Sequence, residues 1–162
     1  MKRDQRLHPL SWNHHDLLIY ADRVRMALTT DHPSYRQSIE SLVKQTKEFW
    51  SAVFQDHMSA EKEILFTSLA SFLDQFRNEM EVINREYDEL SELFNHISNN
   101  PSADEETKAK LIRFADLVIH HVRFEEGELF SKVQNILPEE EFNRVGHELN
   151  KKLPRLCRTK QK

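Results

Sequence analysis

The sequence predicts an all-α protein, an antiparallel up-down-up-down four-helix bundle with a short C-terminal helix. Its 162 residues include only 2 Gly and 5 Pro, too few turn-forming residues for a β-sandwich or β-barrel. Apolar residues recur every three or four positions through four long stretches, as on the buried face of a helix. Short connections separate these stretches, which is typical of antiparallel neighbours in a bundle.

The first two helices are predicted from about Ser11 to Thr29 and from about Ser34 to Leu69. Asp31-His32-Pro33 separates them, because Pro is favoured in the first turn of a helix. The buried face of the first comprises Leu7, Leu10, His14, Leu17, Ala21, Val24 and Leu28. That of the second comprises Trp50, Phe54, His57, Glu61, Ile64 and Ser68.

The third helix is predicted from about Phe72 to Ser98. Residues 67–71 contain no strong breaker, so composition marks its start only weakly, whereas the polar turn at 99–101 marks its end. Its buried face comprises Phe76, Met80, Ile83, Tyr87, Leu90, Phe94 and Ile97.

The fourth helix is predicted to begin with a capping box formed by Ser102 and Glu105 and to end at about Ile136. Its buried face comprises Leu111, Phe114, Val118, His121, Glu125 and Leu129. Pro138 and the acidic residues after it start a fifth helix, predicted to end near His147.

Composition also excludes several functional classes. We expect one domain over residues 1–150 and a solvated basic tail over 151–162. The net charge of −4 gives no general case for nucleic-acid binding. No apolar run is long enough for a membrane span or a signal peptide, which predicts a soluble, cytoplasmic protein. The single cysteine, Cys157, excludes an intrachain disulfide and is interpreted as an inert thiol.

One phrase occurs twice: a His, a Glu four positions later, and a Leu-Phe pair four positions after the Glu. Its copies are His57, Glu61 and Leu65-Phe66, and His121, Glu125 and Leu129-Phe130. Residues four apart lie on one helix face, and imidazole and carboxylate donors suit iron, manganese or zinc. The His–Glu spacing alone is common by chance, but the shared Leu-Phe pair is not.

A metal site is the interpretation that accounts for carboxylates on a buried face. A single His on such a face, as at His14, is more often a hydrogen-bonded core residue than a ligand. Glu61 and Glu125 change this, because buried charges are normally paired or bound to metal and no Lys or Arg shares their faces. The flanking residues His15, His120, Glu126 and Glu128 are expected beside the ligands or in solvent.

The order His14, His57-x-x-x-Glu61, a donor on the third helix, and His121-x-x-x-Glu125 resembles hemerythrin and the hemerythrin-like cation-binding proteins over about residues 7–137. The resemblance implies a non-haem centre of two iron ions, although the donor types alone also allow manganese or zinc. It implies that Glu61 and Glu125 bridge the metals. It further implies that His14 and His57 serve one iron, and that His121 and the third-helix residue serve the other.

The third helix departs from the family pattern. Where the oxygen carriers place His residues, this chain has Tyr87, with Ser91 one turn later. Three alternatives stay open for Tyr87: a phenolate ligand, a hydrogen bond across the site that leaves a metal position open, or a core residue with its hydroxyl pointing outward.

The resemblance implies binding, sensing or processing of a small oxidant such as O2, NO or peroxide. Fewer His ligands and a phenolate favour ferric iron, which argues for peroxide or NO chemistry, or redox sensing, over reversible O2 carriage. Enzymatic turnover is left open. The alternatives are an iron storage, donation or repair protein, and a regulatory module with a structural metal whose protein partner would be a separate chain.

Overall fold

The computed structural model describes residues 2–99 and 102–154, and these residues are mainly helical. A turn of 3-10 helix, Gln5–Leu7, precedes the first long helix. The helices are α1 (His8–Thr29), α2 (residues 39–69), α3 (Leu73–Asn99), α4 (residues 105–136) and α5 (Glu139–Lys152). Together they confirm the predicted all-α four-helix bundle with a short additional helix.

Two of these helices contain π-helical turns. In α2, Trp50–Phe54 and Glu61–Leu65 are π-helical, and they separate the α-helical segments Ile39–Phe49, Gln55–Ala60 and Phe66–Leu69. In α4, the π-helical segment Glu125–Leu129 lies between Glu105–Phe124 and Phe130–Ile136.

Two apolar clusters show that successive long helices run in opposite directions. The Phe114 cluster includes Leu17, Val24, Leu42, Phe54, Leu90, Ile97, Leu111, Phe114 and Val118. The Phe76 cluster includes Leu7, Leu10, Ile64, Leu69, Phe76, Ile83, Leu129, Phe130 and Val133. The chain passes from the Phe76 cluster to the Phe114 cluster along α1 and α3, and in reverse along α2 and α4. Burying each Leu or Phe contributes about 1.5–3 kcal/mol, so these clusters stabilise the bundle on both sides of its centre.

Several helix ends differ from the prediction, and at α2 a side-chain cap explains the difference. Helix α1 begins at His8, three residues before Ser11. Helix α2 begins at Ile39, since the Ser38 side chain accepts from an amide in its first turn, and Ser34 lies in a separate 3-10 turn.

The capping residue of α4 was predicted wrongly. Asp104, not Ser102, is the N-cap, and its carboxylate accepts from the Thr107 amide at 2.8 Å. Ser102 instead donates to Asp104 at 2.8 Å. The end of α4 at Ile136 agrees with the prediction.

Helix α5 extends past the predicted end at His147 to Lys152, because the apolar spacing of Phe142, Val145 and Leu149 continues through it. The first residues of the expected basic tail therefore lie in this helix. Residues 155–162, with Cys157, lie outside the described residues. Within the described part of the chain, no helix has the length and apolar character needed to cross a membrane.

Candidate metal centre

Four side chains predicted as metal ligands meet between the two apolar clusters. His14, His57, Glu61 and Glu125 each place one donor atom within 4.8 Å of the others. All four are buried, with 2% exposure for His14 and none for the others. Helices α1, α2 and α4 contribute these residues where polar side chains interrupt their apolar faces, so the polar residues of these faces lie together.

His121 lies beside this group and faces both carboxylates. Its Nε2 atom is 3.4 Å from Glu125 Oε1 and 3.9 Å from Glu61 Oε2. The other oxygen of each Glu faces a different imidazole: Glu61 Oε1 is 3.1 Å from Nε2 of His57, and Glu125 Oε2 is 2.9 Å from Nε2 of His14. Each carboxylate therefore presents one oxygen to the His14–His57 side and the other to His121.

The opposite edge of each imidazole is held by a side chain outside the group. These pairs are His14 Nδ1 with Glu126 Oε1 at 2.6 Å, His121 Nδ1 with Glu86 Oε2 at 2.9 Å, and His57 Nδ1 with Asn13 Oδ1 at 3.4 Å. When Nδ1 donates to these acceptors, the Nε2 lone pair points into the centre. Outer acceptors fix the tautomer and orientation of metal-binding His residues in this way.

Sequence reasoning missed Glu86 and Asn13 and anticipated the position of Glu126. Glu86 is buried, with 5% exposure, and it contacts both His121 and the exposed His120. A helical signal for it existed, since Glu86 lies three residues after Ile83 and four before Leu90, both buried on α3. His15 and Glu128, also expected beside the ligands or in solvent, are exposed.

The inward donor atoms need a partner that the described side chains do not supply. Among the described residues, buried atoms without a hydrogen-bond partner include Nε2 of His57 and His121, both carboxylate oxygens of Glu61, Oε1 of Glu125 and the Tyr87 hydroxyl. A buried charged group without a partner destabilises the protein by about several kcal/mol. This donor set therefore fits a metal-binding site.

Electrostatics at the centre follow from burial and close approach. Burial raises the pKa of the Glu61 carboxyl, and burial with the nearby charge of Glu61 raises that of Glu125. Burial disfavours protonated His14, but hydrogen bonds to Glu125 and Glu126 outweigh it and raise the pKa of His14 to about 9. Burial and the neighbouring His14 lower the pKa of His57 well below its usual range. A cation would favour the ionised form of both carboxyls and would bind neutral imidazoles, so its binding opposes the raised pKa values of Glu61, Glu125 and His14.

Tyr87 lies at the edge of the centre on α3. It is 2% exposed, and its ring centroid is 5.1 Å from that of His121. Its hydroxyl is buried, so the alternative of an outward-pointing hydroxyl is wrong. A metal-bound phenolate and a hydrogen bond across the site both remain compatible with this position.

The repeated sequence phrase coincides with two π-helical turns. The amide of Phe66 donates to the carbonyl of Glu61, and the amide of Phe130 donates to that of Glu125, in each case across five residues. The Leu-Phe pair therefore marks where the wider turn closes. In a regular α-helix the Phe66 amide would donate to the Lys62 carbonyl, but here it donates to Glu61. The Lys62 carbonyl instead accepts a hydrogen bond from the Thr67 hydroxyl at 3.1 Å. Such π-helical turns are frequent at functional sites.

Comparison with known proteins shows a family match over most of the chain. The model of the hemerythrin HHE cation-binding domain matches residues 8–133. A protein of Nostoc sp. (strain PCC 7120 / SAG 25.82 / UTEX 2576) described as a DNA nickase is 29% identical over 98 residues, covering 59% of this chain. The matched part is 27% of that relative, so the chain spans only about a quarter of its length. No solved structure matches.

Proposed function

Because the chain belongs to the hemerythrin HHE cation-binding domain family, we propose that it carries a non-haem di-iron centre that binds, senses or processes a small oxidant such as O2, NO or peroxide. The observation that carries the proposal is that the two oxygens of each carboxylate face imidazoles on opposite sides of the centre. Glu61 and Glu125 both direct one oxygen toward His121 and the other toward His14 or His57. Two buried carboxylates arranged in this way suit a pair of cations better than a single one.

In this proposal Glu61 and Glu125 would hold two metal ions between them. His14 and His57 would hold one ion, and His121 would hold the other with Tyr87 beside it. The donor chemistry accommodates iron, manganese or zinc, and iron is preferred on family membership. Both remaining roles of Tyr87, as a phenolate ligand or as a hydrogen-bond donor across the site, suit a centre with fewer imidazoles on one side.

The surrounding protein limits what can react. The Phe76 and Phe114 clusters enclose the donors on two sides and exclude bulk water. With exposures of 0–2% at the predicted ligands, the site suits a diatomic molecule or peroxide better than a bulky substrate. When bound, an iron pair supplies one-electron redox change and an open coordination position. A phenolate favours ferric iron, so peroxide or NO chemistry, or redox sensing, is preferred over reversible O2 carriage.

The similarity to the DNA nickase does not lead us to propose DNA cleavage. The matched region is a minor part of that relative. In the present chain the His and Glu donors are buried, and a phosphodiester strand has no access to fully buried atoms.

The test is metal analysis of protein purified without a metal-affinity step, with optical spectra before and after anaerobic reduction. We expect about two irons per chain, as the family resemblance implies, and a spectrum that changes with O2, NO or peroxide. Redox-silent zinc or absence of metal would contradict the proposal and favour a structural or partner-binding role. Iron that is transferred to an apo-protein acceptor without oxidant chemistry would favour storage or donation.

A further inference from the structure

Arg3, in the segment before α1, is bound to the helix that carries the second repeated phrase. Its Nε donates to Glu126 Oε2 at 2.9 Å, and one terminal nitrogen donates to Gln134 Oε1 at 2.7 Å. The Asp4 amide also donates to Gln134 Oε1, at 3.1 Å. The segment is therefore attached to α4 through both side-chain and backbone groups.

The second terminal nitrogen of Arg3 donates to the backbone carbonyl of Glu126. This carbonyl is the one that the π-helical turn deprives of its usual donor, because the Phe130 amide bonds to Glu125 instead. In the first phrase the equivalent carbonyl, that of Lys62, is satisfied from within α2. In the second phrase the donor comes from outside the helix.

Two contacts lead from Arg3 to the His14 ring. At the edge of the ring, the Glu126 carboxylate contacts both residues: Oε2 accepts from the Arg3 guanidinium, and Oε1 lies 2.6 Å from His14 Nδ1. At the face of the ring, Phe130 lies between the two residues. The Arg3 guanidinium carbon is 5.1 Å from the Phe130 ring centroid. The Phe130 and His14 rings stack with their centroids 5.4 Å apart and their planes 11° from parallel. Arg3 therefore restrains both the direction and the tilt of the imidazole.

We propose that Arg3 is a positioning residue for the metal centre, which it serves by holding the Glu125–Leu129 turn and the His14 ring in place. The inference rests on the proposed metal-binding function. A guanidinium suits this role because its planar, fixed set of donors reaches several acceptors at once. Loss of Arg3 removes the donor to the Glu126 carbonyl and leaves the Glu126 carboxylate held only by Ser11 and His14. The His14 ring is then less restrained, although its own side chain is unchanged.

The experiment uses the full chain loaded with Co²⁺ alone, whose visible spectrum reports ligand geometry, and measures transfer of Co²⁺ to an excess of chelator. We expect Arg3→Ala to accelerate metal loss by about tenfold or more, as for other residues that orient metal ligands, and to alter the Co²⁺ spectrum. Arg3→Lys should lose metal at a rate between those of wild type and Arg3→Ala. Its ammonium group keeps the positive charge but lacks the planar set of guanidinium donors. Arg77→Ala is the matched control, since Arg77 pairs with Asp74 on the exposed face of α3.

Wild-type rates and spectra in Arg3→Ala would overturn the positioning role. If Arg3→Ala does not fold, Arg3→Lys decides the question, and an unchanged rate and spectrum there would overturn it equally. If the wild-type chain binds neither Co²⁺ nor iron, the proposed metal-binding function fails, and the role of Arg3 fails with it. Metal binding that is indifferent to Arg3 refutes only the further inference.

Discussion

The carboxylate of Glu86 accepts a hydrogen bond from Nδ1 of His121 at 2.9 Å, and both side chains are buried. The contact joins α3 to α4 and leaves His121 Nε2 facing Glu61 and Glu125. It gives this imidazole an anionic acceptor, whereas His57 has only the amide oxygen of Asn13 at 3.4 Å.

We therefore expect Glu86→Ala to weaken metal binding by about 10–100-fold, because His121 loses the group that fixes its tautomer. Glu86→Gln should have a smaller effect, since its amide oxygen still accepts. Competition with a chromophoric chelator measures both. Glu89→Ala is the control, because Glu89 is on the same helix and pairs with exposed Arg113. Equal affinities in the Glu86 and Glu89 variants would rule out this role.

Removing the charge of a central carboxylate should lower the metal content of the protein and raise the stability of its metal-free form. Replacing Glu61 or Glu125 with Ala should remove about half or more of the bound iron. The neutral variant Glu61→Gln should make the metal-free protein more stable than metal-free wild type, because it removes a buried carboxylate whose burial is unfavourable.

Metal analysis and thermal unfolding of chelator-treated samples measure these two effects. Glu63→Ala is the matched control, since Glu63 is exposed and pairs with Lys152 at 2.9 Å. Full iron retention in both central Ala variants would exclude bridging. Metal-free Glu61→Gln that is less stable than wild type would contradict the electrostatic argument.

The buried hydroxyl of Tyr87 separates the two remaining interpretations. If it binds iron as a phenolate, the oxidised protein should show a visible phenolate-to-iron charge-transfer band that Tyr87→Phe lacks. In the metal-free protein the same substitution should be neutral or stabilising, because the hydroxyl has no hydrogen-bond partner among the described residues. A band that survives in Tyr87→Phe would show that Tyr87 is not its source and would leave the hydrogen-bonding role.

Deletion of Gly127 tests the π-helical turn in α4. Without this residue the bond from the Phe130 amide to Glu125 spans four positions and becomes α-helical, so both flanking segments keep their packing. We expect a folded protein with metal affinity lowered by about tenfold or more, because the turn that aims Glu125 and Glu126 is lost.

Gly127→Ala preserves the length of this turn and is the control. A Cβ at position 127 would have no atom within 4 Å, so this variant should fold and bind metal as wild type does. Circular dichroism and chelator competition together measure fold and affinity. Wild-type affinity in the deletion variant would show that the centre does not require the π-helical geometry.

The sequence by itself determined the fold class and the group of residues at the centre. Apolar spacing is a local property of each helix, so it identified the buried faces on which His14, His57 and Glu61 lie. The repeated phrase marked the π-helical turns Glu61–Leu65 and Glu125–Leu129 without revealing their backbone geometry. It gave no sign of the π-helical turn Trp50–Phe54. Helix ends were less predictable, because several neighbouring side chains are able to cap one helix: at α4 Asp104 accepts from the Thr107 amide, and Ser102 donates to Asp104.

Only the tertiary structure decided how these residues face one another. The contact of Glu86 with His121 and that of Arg3 with Glu126 depend on the rotation and depth of separate segments, which spacing within one segment does not specify. The division of each carboxylate between imidazoles on different helices likewise arises from packing. Periodicity brings a residue to the interior, but the relative placement of the helices determines which atoms meet there.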